Sequence, residues 1–383
     1  MQLPEKLQKK LQDREKNNAL RRLPERENLI DFSSNDYLGL AQEKDVFNEV
    51  HRFLEEQNIC ENGATGSRLL SGNHKLYEKT ETLLAKIHNT EAALLFNSGY
   101  DANVGFLSAV LQRGDIVFYD ELVHASIRDG IKMSNAKSYR FVHNDLNDLQ
   151  KKIHKTRLDT KNHTGVEVYV ITESVFSMDG DTPDLRGLGS LCQQYNCRFV
   201  VDEAHAVGVF GECGVGLIQQ LELESQVFAR INTFGKAMGC HGAVILGSES
   251  LKKYLINFAR SFIYTTGLPP HSLATIHVVY QHLLETNAIK KLIDNITFFN
   301  YKAIDLDVDS KFIKSDSAIH CCLILGNENV KEVALQIQKS GFDIKPILSP
   351  TVPQGQERLR FCIHSYNSTE EISKVLELLA TFV

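Results

Sequence analysis

Apolar residues recur at helical spacing at the start of the chain and at strand spacing later. Leu3, Leu7 and Leu11 lie four residues apart and predict a short helix. An extended segment at residues 29–32 and a polar turn at 33–36 follow. Two more helices are predicted, and the glycine-rich stretch 63–67 between them is read as a loop.

Short apolar runs then alternate with helix-length segments. The runs are Ala92–Phe96, Ile116–Tyr119, Tyr139–Val142, Glu167–Ile171, Phe199–Val201 and Ala243–Leu246. They are rich in β-branched and aromatic residues and are bounded by Gly, Asp and Asn. This pattern predicts an α/β fold with a mainly parallel sheet.

The pattern changes after Pro269 and Pro270. A long helical stretch leads to strands predicted at Ile319–Leu325 and Leu359–Ile363, a helix from about Val330, and a final helix. We therefore expect an N-terminal helix and extended segment at 1–45, a large α/β domain at 46–270, and a small α+β domain at 271–383.

Composition narrows the possible functions. The 383 residues carry 42 Lys and Arg against 48 Asp and Glu, a formal charge of -6, so no general basic field for nucleic acid exists. No apolar run is long enough to cross a bilayer, and nothing marks secretion, so we expect a cytoplasmic protein without a membrane partner. The eight cysteines fit neither a disulfide framework nor zinc-ligand spacing, and we expect no metal.

The run Val200–His205 places an acid at the end of a buried strand, where open α/β sheets bind their ligands. A strand-ending turn is the simpler interpretation. A helicase-type ATPase would also contain Asp202-Glu203-Ala204-His205, but it needs a phosphate-binding loop. Around the one Gly-Lys pair of the chain, Arg230 replaces the first glycine of that loop and Ala237 replaces its Ser or Thr, so the ATPase interpretation fails.

Lys236 follows a Thr-Phe-Gly turn. A lysine in a polar loop is usually a solvated surface residue. Here it is accompanied by the strand-end acid Asp202 and by the glycine turn around Gly99. A Schiff-base cofactor requires an amine to form the imine, an acid to pair with a pyridinium nitrogen, and N–H groups at a helix start to bind a phosphate. His124 and Ser177 also follow strands, although a structural histidine and a capping serine are the ordinary alternatives.

Several strings, in order, resemble the α-oxoamine synthases, pyridoxal-phosphate enzymes of fold type I that condense an amino acid with an acyl thioester. These strings are residues 33–40 (SSNDYLGL), 66–73 (GSRLLSGN), 124–126 (HAS), 177–181 (SMDGD), 202–205 (DEAH) and 233–236 (TFGK). The resemblance covers nearly the whole chain. It implies fold type I, with a mainly parallel seven-stranded sheet in the large domain and a smaller C-terminal α+β domain.

The resemblance implies pyridoxal 5'-phosphate as cofactor, held covalently by Lys236 and paired at its ring nitrogen with Asp202. His124 would stack on the ring, and His205 and Ser177 would bond its phenolic side. The phosphate would be held by Ser98, Gly99, Tyr100 and Thr233, and by Thr265 or Thr266 of a second subunit. Substrate contacts would come from Asn35, Arg21 and Arg360, of which Arg360 would clamp the carboxylate.

Within the family the strings are most similar to the biotin-pathway member. This implies L-alanine and pimeloyl-CoA or pimeloyl-acyl carrier protein as substrates, and a homodimer with shared active sites. Two alternatives stay open. One is a sister enzyme that uses glycine or serine, of the 2-amino-3-ketobutyrate ligase, 5-aminolevulinate synthase or serine palmitoyltransferase type. The other is a non-catalytic partner subunit, although such partners lack the lysine that stands here at position 236.

Overall fold

The computed structural model describes residues 3–17, 20, 23, 28–160 and 165–383. The helices are α1 (Glu5–Lys16), α2 (Lys44–Glu56), α3 (Lys75–Ile87), α4 (Gly99–Val110), α5 (Ala125–Met133), α6 (Leu146–Thr160), α7 (Leu185–Gln194), α8 (Leu217–Gln220), α9 (Glu249–Phe258), α10 (Arg260–Ile263), α11 (Pro270–His282), α12 (Ala288–Asp305), α13 (Asn327–Lys339) and α14 (Thr369–Ala380). The strands are β1 (Ile30–Asp31), β2 (Ala92–Phe96), β3 (Ile116–Asp120), β4 (Lys137–Phe141), β5 (Val168–Glu173), β6 (Arg198–Asp202), β7 (Ala229–Thr233), β8 (Ala243–Gly247), β9 (Ile319–Leu323), β10 (Phe342–Asp343), β11 (Lys345–Ile347) and β12 (Arg358–Cys362). Within these described ranges, no helix combines the length and the apolar character needed to cross a membrane.

The chain divides into two compact units. The sheet unit comprises Asn35–Ser177 and Asp181–Ile293, and the terminal unit comprises Met1–Ser34, Met178–Gly180 and Asp294–Val383. The domain boundaries expected from the sequence, 1–45, 46–270 and 271–383, stay predictions.

The described part of the sheet unit contains a seven-stranded sheet of order β2-β8-β7-β6-β5-β3-β4. The pairs formed among β4, β3, β5, β6 and β7 are parallel, whereas β8 is antiparallel to both of its neighbours. The predicted α/β fold with a mainly parallel seven-stranded sheet is therefore confirmed. β7 is a strand that the apolar runs did not reveal.

Both faces of this sheet are buried. On β3, Val117 packs into one apolar cluster while Ile116 and Phe118 pack into another, and on β6 the side chains of Val200 and Val201 divide in the same way. Alternate residues of a strand point to opposite faces, so helices must cover both sides. This explains why these strands read as continuous apolar runs in the sequence.

In the terminal unit, β11, β12 and β9 form an antiparallel sheet, and β1 pairs in parallel with β10. Ser368 and Glu371 form a capping box at the start of α14, whose Ile372, Val375, Leu376 and Leu379 are buried. The strands and helices predicted after residue 318 are thus present, with β10 and β11 in addition.

Candidate active site

Four adjacent parallel strands end in polar residues at one edge of the sheet. These are Asp120 on β3, Glu173 on β5, Asp202 on β6 and Thr233 on β7. Glu173 and Asp202 lie opposite each other in the β5–β6 register, and Asp202 lies opposite Ile231. Parallel strands place all their carboxyl ends together, and open α/β sheets bind ligands there.

A pocket of about 170 Å3 lies at this edge. It is lined by Gly99, Tyr100, Asn103, His124, Ser126, Glu173, Asp202, Ala204, Ile231, Thr233 and Lys236. A larger cleft of about 780 Å3 lies in the terminal unit, beside α1 and the start of α13. The smaller pocket is the candidate active site because an amine, two carboxyl groups and an imidazole converge on it.

Both oxygens of the Asp202 carboxylate accept hydrogen bonds. The backbone N–H of Ala204 donates to Oδ1 at 2.9 Å, and the side-chain amide of Asn103 donates to Oδ2 at 2.8 Å. Asn103 also donates to the Ser126 hydroxyl at 3.1 Å, and that hydroxyl lies 2.7 Å from His124 Nδ1. A chain of hydrogen bonds therefore connects the acid to the imidazole of the pocket.

Lys236 is placed by the reversal between β7 and β8. Backbone hydrogen bonds from Gly239 to Lys236, from Cys240 to Phe234 and from Phe234 to Gly242 close this connection. Gly239 and Gly242 both have positive φ angles, of 58° and 118°, which residues with a Cβ rarely adopt. The compact turn holds the half-buried lysine beside the ends of β6 and β7.

The start of α4 faces Thr233. The Ser98 side chain caps this helix, and the first intrahelical N–H bond is donated by Ala102 to Ser98. The N–H groups of Gly99 and Tyr100 therefore precede the bonded turns, where a helix attracts anions. A methyl group added at Gly99 would lie only 3.3 Å from Thr233 Cβ and Oγ1, so glycine lets the two elements approach closely.

Glu173 anchors His124 from the neighbouring strand end. The backbone N–H of His124 donates to Glu173 Oε1 at 2.5 Å. Burial and the nearby Asp202 raise the pKa of Glu173 to about 8, so this carboxyl is mostly protonated at neutral pH. His124 is exposed at the mouth of the pocket. Desolvation by the surrounding protein lowers its pKa, although the nearby Asp202 acts to raise it.

His143 connects two loops to the end of β3. Its Nδ1 lies 2.9 Å from Asp120 and its Nε2 lies 2.8 Å from Asp181. Burial disfavours the charged ring, but these two hydrogen-bonded carboxylates outweigh burial and raise the pKa of His143 to about 9. The imidazolium therefore joins the loop after β4 to the end of β3 and to the loop after β5.

Some of the predicted site residues do not line this pocket. His205, Ser177, Ser98 and Asn35 belong to the sheet unit but are not among the lining residues. Within one chain, the Asn97 amide donates to Thr265 Oγ1 at 3.3 Å and to the Thr266 carbonyl at 2.6 Å. Arg21 lies outside the described residues. The roles of all of these residues stay predictions.

Arg360 and Arg358 lie on β12 in the terminal unit, and both are buried. Arg358 forms an ion pair with Asp179 and donates to the carbonyls of Met178 and Gln356. Arg360 donates to Cys362 Sγ at 2.9 Å. The carboxylate that pairs with Arg358 belongs to the protein itself. These contacts therefore give Arg358 a structural role.

Glu173 and Asn103 are among the lining residues that the sequence analysis did not single out. Glu173 ends β5 as Asp202 ends β6, and this equivalence is a signal that could have identified it. Asn103 lies four residues into α4, and nothing in the sequence indicates that its amide reaches Asp202. The lining residues together offer three capabilities. Asp202 can pair with a cation, the start of α4 can bind an anion, and Lys236 Nζ can accept and return a proton.

Comparison with known proteins identifies relatives over nearly the full length. The sequence profile described as "Aminotransferase class I and II" matches residues 27–379. The 8-amino-7-oxononanoate synthase of Emericella nidulans is 39% identical over 367 residues, 92% of this chain and 89% of the relative. The structure of 8-amino-7-oxononanoate synthase from Francisella tularensis has a TM-score of 0.76 at 30% identity and covers 92% of this chain and 97% of that one. Serine palmitoyltransferase from Sphingomonas wittichii has a TM-score of 0.84 at 26% identity and covers 92% and 86%.

The His143 imidazolium predicts a pH-dependent stability. Because its pKa is raised from 6.5 to about 9, its contribution is complete below pH 6.5 and is lost as the pH rises through 9. The upper limit is about 3 kcal/mol at roughly 1.4 kcal/mol per pKa unit. In thermal unfolding between pH 6 and 10, the stability advantage of the wild type over His143→Gln should shrink as the pH rises.

The exposed His51 provides the matched control. His51→Gln should follow the wild-type pH dependence throughout. A difference between wild type and His143→Gln that stays constant from pH 6 to 10 would show that the ring carries no proton-linked stability.

Proposed function

The chain belongs to the class I and II aminotransferase family and, within it, to the α-oxoamine synthases, and we propose that it condenses L-alanine with a pimeloyl thioester. The family also accounts for the predicted fold type I. The reaction joins the alanine Cα to the acyl carbon, breaks the thioester C–S bond and releases the thiol and CO2. Its product, 8-amino-7-oxononanoate, belongs to biotin biosynthesis. The observation that carries the proposal is the convergence of Lys236, Asp202 and His124 on one pocket.

The pocket residues fit pyridoxal 5'-phosphate. Lys236 supplies the amine that would hold the aldehyde, and Asp202, with both oxygens hydrogen-bonded, supplies a fixed negative charge for the ring nitrogen. The N–H groups at the start of α4 and the Thr233 hydroxyl suit the phosphate. When bound, the cofactor accepts the electron pair left at the alanine Cα.

Each residue then has a task set by its chemistry. Asp202 keeps a proton on the ring nitrogen, because a carboxylate in ion-pair contact favours the charged form. Lys236 Nζ takes the Cα proton and later returns it. His124 would cover one face of the cofactor ring, and the Glu173 carboxyl holds the His124 backbone in place.

Arg360 is proposed to bind the alanine carboxylate. A guanidinium meets a carboxylate with two parallel, charge-assisted hydrogen bonds. Arg360 also donates to the Cys362 sulfur at 2.9 Å. Arg358, on the same strand, forms an ion pair with the Asp179 carboxylate.

A homodimer is proposed as the functional unit, with Thr265 or Thr266 contributing to the site of the other subunit. Large apolar side chains exposed on the sheet unit support it, among them Leu70 at 85% and Tyr264 at 72% exposure.

The substrate assignment is tested by crossing amino acids with acyl thioesters. Purified protein loaded with pyridoxal 5'-phosphate should release thiol fastest with L-alanine and pimeloyl-CoA or pimeloyl-acyl carrier protein. Glycine, L-serine, and acetyl- and palmitoyl-CoA complete the matrix. A fastest rate with L-serine and palmitoyl-CoA would assign the chain to the serine-using branch, and thiol release with no pair would refute catalysis of this type.

Removing the amine should remove the cofactor's attachment and the activity together. Lys236→Ala should be colourless after gel filtration, and borohydride should fix no cofactor to it, because Lys236 is the one lysine among the described residues that line the pocket. The control is the exposed Lys253→Ala, which should behave as wild type. Cofactor fixed by borohydride in Lys236→Ala would refute the assignment.

The two arginines of β12 should separate binding from stability. Arg360→Lys should weaken L-alanine binding by about 1.5–3 kcal/mol, the range for hydrogen bonds to charged groups, roughly 10- to 150-fold in Kd. Arg358→Lys should instead lower the melting temperature, because it disturbs the buried pair with Asp179. Equal effects of both variants in an alanine titration followed by cofactor absorbance would place the carboxylate site elsewhere.

A further inference from the structure

Asn103 is a buried residue of α4 whose side-chain amide donates to two different parts of the pocket. The amide nitrogen lies 2.8 Å from Asp202 Oδ2 and 3.1 Å from the Ser126 hydroxyl. A carboxylate can only accept a hydrogen bond, so the NH2 side of the amide must face Asp202. This nitrogen carries two hydrogens, one for each of its two partners.

The Ser126 hydroxyl connects this amide to the imidazole of His124. The hydroxyl oxygen lies 2.7 Å from His124 Nδ1, and the backbone N–H of Ser126 donates to the same nitrogen at 3.2 Å. A backbone N–H can only donate, so Nδ1 is an acceptor and carries no proton. The hydroxyl therefore accepts from Asn103 and gives its own proton to Nδ1. The ring is neutral, and its proton is on Nε2.

Close packing of α4 against α5 fixes the backbone of Asn103. A methyl group added at Gly130 of α5 would lie 2.9 Å from the Asn103 carbonyl oxygen and 2.9 Å from Leu107 Cβ, so a side chain at position 130 would force the helices apart. His124 caps the start of α5, and the Glu173 carboxyl holds its backbone N–H. The short side chain of Asn103 therefore bridges two elements whose positions are already set.

We propose that Asn103 is a positioning residue that fixes the Asp202 carboxylate and, through Ser126, the His124 imidazole in one arrangement. The amide acts through these two groups, because it sets the angle of the acid and the tilt of the ring. Without it, the carboxylate would be free to rotate about its Cβ–Cγ bond, and the hydroxyl would be free to turn away from Nδ1. The inference deepens the proposed function and rests on it for the roles of Asp202 and His124.

The first measurement requires no cofactor. 15N NMR on the full chain labelled at its histidine rings shows which ring nitrogen carries the proton, and the His124 signals are the ones lost in His124→Gln. At neutral pH the wild type should show an unprotonated, hydrogen-bonded Nδ1 and a protonated Nε2. In Ser126→Ala and in Asn103→Ala, the Nδ1 signal should move towards that of an imidazole nitrogen that accepts fewer hydrogen bonds.

Cofactor binding separates the two hydrogen bonds of the amide. Ser126→Ala keeps the bond to Asp202, so the Kd for pyridoxal 5'-phosphate should stay close to the wild-type value while the visible circular dichroism of the bound cofactor changes. Asn103→Ala loses both bonds. It should raise this Kd and lower kcat by about tenfold or more each, because a hydrogen bond to a charged group contributes about that factor.

Asn257→Ala is the matched control. Asn257 also lies within a helix of the sheet unit, α9, but it is exposed, and its amide donates to the Lys253 carbonyl. This variant should leave the His124 signals, the cofactor Kd and kcat unchanged. Where Asn103→Ala does not fold, Ser126→Ala still tests the connection to His124, because it removes a single oxygen.

Two results would overturn the inference. One is a wild-type His124 with its proton on Nδ1, because that nitrogen would then not accept from Ser126. The other is a lower melting temperature of the variants with unchanged His124 signals, cofactor Kd and circular dichroism, which would limit Asn103 and Ser126 to a structural role. Absence of acyl transfer in the wild type would instead refute the proposed function, since the NMR measurement does not depend on turnover.

Discussion

The shared direction of β3, β5, β6 and β7 is the constraint on which the site depends. Parallel pairing forces all four chains to leave the sheet at the same edge, so their terminal residues are neighbours although they lie up to 113 positions apart in sequence. The register adds precision, because Glu173 faces Asp202 across one pair of strands. The chemistry is thus placed by backbone hydrogen bonds of the sheet, and the loops only complete it.

Acidic side chains that end at one edge of the sheet would repel one another if all were charged. The structure reduces this repulsion in three ways. Both oxygens of Asp202 accept hydrogen bonds, one from the backbone of Ala204 and one from the side chain of Asn103. Burial and Asp202 raise the pKa of Glu173, so a second negative charge next to Asp202 is avoided at neutral pH. Asp120, fully buried, is compensated by the His143 imidazolium. Of these three carboxyl groups, Asp202 is the one proposed to face the cofactor.

The sequence predicts most of this framework, and its failures have physical causes. Strands buried on both faces are visible as apolar runs, but β7 is hidden because Arg230 and Asn232 are polar and still buried. The direction of β8 could have been inferred, since the connection from β7 is too short for the crossover that parallel strands require. Asp202 is recognisable as a strand-end acid. Asn103 is not, because its partner Asp202 is distant in sequence and only packing brings the two together.

The antiparallel return of β8 explains how the amine reaches the acid. Ile231 of β7 is the register partner of Asp202, and Thr233 ends that strand two residues later. Lys236 follows within a turn closed by backbone hydrogen bonds, so few freely rotating bonds separate it from the sheet. A shift of one residue in the β6–β7 register would turn the side chains of the shifted strand to the opposite face and separate the acid from the amine. Strand pairing therefore sets the spacing between these two groups. A lysine on a long flexible loop could reach the same position only by losing conformational entropy.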